Sequence, residues 1–287
     1  MKTAILGNTG IEASRFAFGG IVVSGTPQGE ANDIIAQSYD RGVTYYDVAP
    51  TYGNAQEILG PAIAPYRDRI ALACKTTRRD RQGAMQELEE SLRLLKTDHF
   101  DIYQLHGLTD MEEIDQALSP GGALEAFVEA KAQGKILHIG FSSHGDEAAL
   151  RLMDSFAFES VLFPINWGLM LKYGMGIKVL EAAAQKGMAC LAMKALAFGP
   201  KEPRDDGYEK CWYRPIIDDR PLADLALRFA LSSGAQLAIS PGDVRLLRLG
   251  LDIMEKYAGD PPPLSAEELE TLKGHTDMLQ GSMFERG

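Results

Sequence analysis

At 287 residues, with 45% hydrophobic and 24% charged side chains, the chain has a globular composition and enough length to bury a substantial core. It contains no run of about 18 apolar residues that would cross a membrane. A net charge of −11 argues against nucleic acid or an anionic membrane as its main partner.

The opening segment MKTAILGNTG breaks at a Gly-Asn-Thr-Gly turn too early for a secretory signal. Thr3–Leu6 and Ile11–Ser14 flank that turn and predict a hairpin. Eight short, apolar strand candidates follow: Phe16–Phe18, Thr44–Asp47, Ile70–Lys75, Asp101–Leu105, Ile136–Phe141, Val161–Ile165, Ala189–Met193 and Leu237–Ser240. Strands apolar on both faces are what a buried parallel sheet requires. Stretches with helical spacing alternate with them, such as Met85, Leu88, Leu92 and Leu95, or Leu222, Leu225 and Phe229. Four times, at Gly42, Gly134, Gly187 and Gly234, a helix-like stretch ends on glycine just before a strand, as a left-handed cap would have it. The pattern predicts one α/β domain over residues 1–287, a (β/α)8 TIM barrel with the hairpin plugging its N-terminal end. A doubly wound sheet is the weaker alternative, because no GxGxxG follows the first strand. After Pro261-Pro262-Pro263, SAEELETLKG predicts an extra outer helix capped by Ser265. Cys74, Cys190 and Cys211 are widely spaced and form no CxxC pair, so neither a disulfide framework nor a metal site is expected. A reducing, cytoplasmic setting is the corresponding expectation.

Chemistry concentrates at the strand ends. Asp47 and Tyr52 in TYYDVAPTYG, Lys75 in IALACKT and His106 in FDIYQLHG each stand where a strand runs out. In a parallel barrel those ends share one rim, so a carboxylate, a phenol, an ammonium and an imidazole would meet and tune one another. Singly, each has a plain structural reading as an ion-paired lysine, a loop tyrosine or a hydrogen-bonded histidine. Together they predict a proton-transfer site in which Tyr52 is the acid. Lys75 would draw its pKa down from near ~10, with desolvation opposing; Asp47 would anchor Lys75, and His106 would orient the substrate. His99, His138, His144 and His275 lack partners at metal-ligand spacing and receive no chemistry.

DVAPTYGNAQEILG, SLRLLKTDHFDIYQLH and GKILHIGFSS closely resemble signature segments of the aldo-keto reductases, and the likeness runs from about Leu6 to about Asp252. The resemblance implies a barrel that reduces a small-molecule carbonyl with NADP(H) or NAD(H), with Asp47, Tyr52, Lys75 and His106 matching the family's catalytic four. It also assigns cofactor contacts to Ser142, Ser143, Asn166, Met193, Lys194, Gly242, Asp243 and Arg248. Several positions depart from the pattern: Ser143 replaces an asparagine, Phe163 a glutamine, Met193 a stacking aromatic, Gly242-Asp243 a Lys-Ser pair, and Leu251-Asp252 a Glu-Asn pair. An aspartate repels a 2′-phosphate and accepts from a ribose hydroxyl. The expectation is therefore relaxed discrimination against NAD(H), extending toward a preference for it. Substrate walls are expected at Ile21, Val22 and Trp167, and at Trp212 and Tyr213 in the long segment Phe198–Pro221, read as a lid. Two other function classes fit these departures: a nicotinamide-binding regulatory barrel with little turnover, and a lyase or isomerase using the same four groups without nicotinamide.

Overall fold

The computed structural model describes residues 1–202, 207–257 and 259–279. Eight parallel strands close on themselves: β1 (Phe16–Gly19), β2 (Tyr45–Asp47), β3 (Ala71–Thr76), β4 (Phe100–Leu105), β5 (Ile136–Ser142), β6 (Ser160–Pro164), β7 (Ala189–Met193) and β8 (Leu237–Ile239). Neighbours in sequence are neighbours in the sheet, and β8 pairs with both β7 and β1. The expected barrel is therefore present, each strand within two residues of its predicted bounds.

Alternation along the strands separates two cores. Ala17, Tyr45, Ala71, Ala73, Ile102, Leu162, Leu191 and Leu237 point inward and pack on one another. Tyr103, Leu105 and Phe141 point outward, against helices such as Arg81–Leu95 and Ala123–Ala132. Leu88, Leu92 and Leu95 of the predicted stripe are buried there. The four predicted glycine caps all have positive φ, from 64° at Gly187 to 119° at Gly234, a region in which a Cβ is strained.

The hairpin, Thr3–Ile5 against Glu12–Ser14, closes the N-terminal end. Leu6 and Ala13 are fully buried among the inward-facing residues, so the plug is part of the interior core. Its turn is fastened to the barrel by Asn8 N–H donating to Gly187 O at 2.8 Å. The C-terminal helix Ala266–Thr276 carries the predicted Ser265 cap, with Glu268 completing a capping box. Arg228, from helix Arg220–Ser232, ties it down through a two-point ion pair with Glu268. Among the described residues no helix is long and apolar enough to cross a membrane.

With one end plugged, the mouth at the strand C-termini is the accessible end of the barrel. Leu6→Ala should cost about 2–5 kcal/mol, because it opens a void in a closed interior. Urea unfolding at neutral pH measures this, and a loss below about 1 kcal/mol would mean that the hairpin packs only loosely.

Candidate active site

The rim groups arrive on separate strands. Asp47 ends β2 and Lys75 lies near the end of β3, where the Cα of Asp47 is opposite Ala73. Both side chains face inward, and Lys75 has 0% of its side chain exposed. Its Nζ donates to Asp47 Oδ1 and, at 3.3 Å, to Val48 O. Burial raises the Asp47 pKa, and the Lys75 charge and hydrogen bond pull against that.

Tyr52 sits in the turn between β2 and helix Ala55–Ile63. The Lys75 ammonium lies 5.7 Å from its ring centroid, and His106, just beyond β4, meets the ring edge-on at 6.1 Å. The Trp212 ring approaches from the other side, at 5.7 Å. These four groups line one cavity of about 380 Å³ together with Ile21, Ser142, His144, Met193, Lys194, Lys210, Tyr213 and Gly242. Its floor is apolar at Leu162, Met193 and Ile239. A larger cavity of about 710 Å³ lies elsewhere, between the Pro50–Glu57 turn and helix Arg81–Leu95, and it contains none of these groups.

The electrostatics revise one expectation. Burial, reinforced by Asp47 and Cys74, pushes the Tyr52 hydroxyl well above its ordinary pKa. The anticipated net lowering is not found, and Tyr52 keeps its proton. His106 is held down to about 3 by burial and by the neighbouring cations of Lys75 and Arg79. It is a neutral imidazole at physiological pH, which suits hydrogen bonding better than acid catalysis.

Ser142 Oγ already accepts from Gly107 N–H at 2.8 Å, which leaves its own O–H to donate. Met193 and Leu162 offer an apolar face beside it. Residues 16–209 match the model of the Aldo/keto reductase family. The chain belongs to that family.

As an aldo-keto reductase it is an NAD(P)H-dependent oxidoreductase. It is 25% identical to YqkF, an uncharacterised oxidoreductase of Bacillus subtilis, over 96% of this chain and 97% of that protein. To the aldo-keto reductase YhdN of the same organism it is 34% identical, over 58% of this chain and 53% of that protein. The holo form of aldo-keto reductase AKR11C1 from Bacillus halodurans superposes with a TM-score of 0.74 at 23% identity, covering 96% of each chain, which speaks for the fold.

Not every residue assigned from the sequence reaches the cavity of this aldo-keto reductase. Asn166 is buried, and both ends of its amide are engaged: Oδ1 caps helix Trp167–Tyr173 at Gly168 and Leu169, while Nδ2 donates to Lys194 O and Ala197 O. Trp167 is fully buried outside the barrel, edge-on to Phe198 and His275, and lines no substrate pocket. Ser143 is turned into a local bond with Gly145. Val22 and Asp243 border a smaller neighbouring cavity of about 190 Å³, and Arg248 is exposed on helix Val244–Glu255. Asp243 is engaged too, as cap of that helix and in a two-point ion pair with Arg245.

The Phe198–Pro221 segment is partly structured. Ala197–Gly199 pairs with Arg214–Pro215, residues 203–206 lie outside the described residues, and the stretch after them crosses the mouth. Lys210 Nζ donates to Val22 O at 2.8 Å, and Arg245 donates to Gly207 O at 2.6 Å. Tyr213 is buried facing the cavity, whereas Trp212 is 62% exposed. Sequence reasoning missed His144 and Lys210. His144 follows the end of β5 by two residues, so the strand-end rule that found His106 would have flagged it too. Nothing local in the sequence marks Lys210.

His144, like His106, is held to about 3, chiefly by burial and then by Lys194. In the unfolded chain both imidazoles titrate near ~6.5. Between those values the unfolded state binds more protons, so stability is full above pH ~6.5 and falls as the pH drops toward 3. Urea titrations at pH 7.5 and 4.5 should differ by about 1–3 kcal/mol for each imidazole, and His144→Gln should remove one share. An unchanged pH slope in that variant would count against the buried neutral imidazole.

Proposed function

We propose that this aldo-keto reductase reduces a small aldehyde or ketone to an alcohol, with Tyr52 as the proton donor. The observation that carries the reading is the convergence of Tyr52, the Lys75–Asp47 pair and His106 on one cavity with an apolar floor. Bound NAD(P)H supplies the hydride. Addition to the carbonyl carbon places negative charge on the oxygen, and the Tyr52 hydroxyl delivers the proton that neutralises it. The phenolate left behind is stabilised by the Lys75 ammonium, which Asp47 fixes in place. Neutral His106 offers an N–H to the carbonyl oxygen and sets its direction. The raised Tyr52 pKa supports this order of events, because the proton leaves only when a strong base forms beside it.

Ser142 is the residue best disposed to hold the nicotinamide amide, and Met193 its ring face. Gly242 and the start of helix Val244–Glu255 are suited to the phosphates: a Cβ at Gly242 would lie 2.3 Å from Lys210 O, so only glycine admits the lid there.

Tyr52→Phe should lower carbonyl reduction by about 10³-fold or more while cofactor affinity, read by tryptophan quenching, stays within about threefold. Retention of most activity would remove Tyr52 as the acid. Binding of both cofactors without turnover on a carbonyl panel would favour a regulatory barrel.

Because Asp243 and Arg245 neutralise each other, the adenosine end presents little net charge to a 2′-phosphate. NADH and NADPH should therefore bind within about tenfold of each other. Direct titration decides this, and a hundredfold advantage for NADPH would contradict it.

A further inference from the structure

Polar atoms of four buried side chains facing the barrel interior have no hydrogen-bond partner among the described residues. They are the Tyr45 hydroxyl, both ends of the Gln104 amide, His106 Nδ1 and the Ser160 hydroxyl. Tyr45, Gln104 and Ser160 are each 0% exposed. A buried amide bonded at neither end is costly, and leucine or methionine would fill the same space without that penalty. Glutamine at this depth therefore implies a polar partner.

The strand places that partner. On β4, Tyr103 and Leu105 point outward, so Gln104 points inward with Ile102. His106 extends the same strand by one residue, its N–H donating to Thr76 O at 2.9 Å. Two residues apart on extended backbone, Gln104 and His106 share a face, with the amide beneath the imidazole. Ser160 lies on the amide's other side. Gly140 of β5 pairs with both Gln104 and Ser160, and a Cβ there would stand 2.1 Å from Ser160 Oγ and 3.3 Å from Gln104 Cγ. Glycine thus opens the space in which hydroxyl and amide approach each other. Tyr45, two residues below Asp47, keeps its proton, because burial and then the Asp47 and Asp101 charges raise its pKa well above the ordinary value. Both hydroxyls are donors from below, and the amide oxygen has two lone pairs for them. With its oxygen so engaged, the amide turns its N–H groups up toward His106.

A neutral imidazole carries one proton, and the bond made at one ring nitrogen decides whether the other holds it. We propose that Gln104 is a positioning residue for His106. Its amide N–H, through one bridging water, supplies the hydrogen bond that Nδ1 accepts, so the imidazole proton stands on Nε2, facing the cavity. A water is the bridge because the two side chains make no direct bond, and buried waters join polar groups otherwise left unpaired. The benefit to catalysis, an N–H aimed at the carbonyl oxygen, rests on the carbonyl-reducing reading above; the tautomer itself does not.

The test reads the imidazole directly. In protein carrying isotopically labelled histidine, the ring-nitrogen resonances at pH 7.5 report which nitrogen holds the proton, and a His106→Gln sample assigns the signal among the five histidines. The parent should hold the His106 proton on Nε2. Gln104→Met, which nearly keeps the volume, should give a mixture of tautomers. It should also lower kcat about tenfold, as loss of one hydrogen bond in the transition state does, with carbonyl KM and NADPH affinity each within about twofold. A crystal structure of the parent, which needs no variant, should show one ordered water in reach of both the Gln104 amide and His106 Nδ1. A parent proton on Nδ1, an unmoved His106 signal in Gln104→Met, or neither water nor direct bond between the two side chains overturns the proposal. So does a Gln104→Met protein that gains stability with kcat unchanged, the mark of an amide that was merely unsatisfied. The tautomer change in a protein that reduces no carbonyl would keep the pairing and reject carbonyl reduction instead.

Discussion

The site depends on one buried ion pair. Lys75 has no exposed surface, and an isolated ammonium at that depth would cost several kcal/mol. Asp47 makes the position tolerable, and it can do so only because β2 and β3 are adjacent and in a register that sets both side chains inward. The pair is therefore a consequence of barrel closure. It is also a weak source of stability, since desolvation of the two charges offsets most of their attraction. What it provides is a fixed positive charge beside Tyr52 in a medium that screens it poorly.

The interior is divided to protect that charge. Below it, small and apolar residues such as Ala71, Ala73, Ile102 and Leu191 fill the barrel, and the hairpin seals the end with Leu6 and Ala13. Water can then reach the pair only from the mouth, where Trp212 and Tyr213 stand over Tyr52 and the lid is fastened to Val22 by Lys210. The same burial keeps Tyr52 protonated and both cavity imidazoles neutral.

Most of the fold could be read from the sequence, for identifiable reasons. The strands are short apolar runs that end on charged or aromatic residues, and the helices before β2, β5, β7 and β8 end on glycines whose backbone excludes other residues. The meeting of Asp47, Tyr52, Lys75 and His106 at one cavity could be read because each lies within a few residues of a strand end, where the rim geometry leaves little freedom. Asn166 and Trp167 could not. Both also follow a strand end, but the chain turns directly into helix Trp167–Tyr173, so one becomes its cap and the other is carried outside the barrel. Only the coordinates show which way such a turn goes. His144 lacks metal-ligand spacing, a criterion that a hydrogen-bonding imidazole has no need to meet. The expectation for the Tyr52 pKa undervalued desolvation, which depends on packing by residues far away in sequence, Trp212 among them.

These corrections converge on a single view of the pocket before reaction. Among the described residues it holds a protonated phenol, neutral imidazoles and lysine side chains, with its one carboxylate, Asp47, already engaged. Such a pocket does little for a neutral carbonyl and much more for the oxygen once charge has moved onto it. Donors fixed in advance in a low-dielectric site need no reorganisation when that charge appears. Of the departures from the family pattern, Phe163, Asp243 and Leu251 fall outside the cavity that Tyr52, Lys75 and His106 share, whereas Met193 and Gly242 line it. Those changes leave the ion pair between β2 and β3 in place.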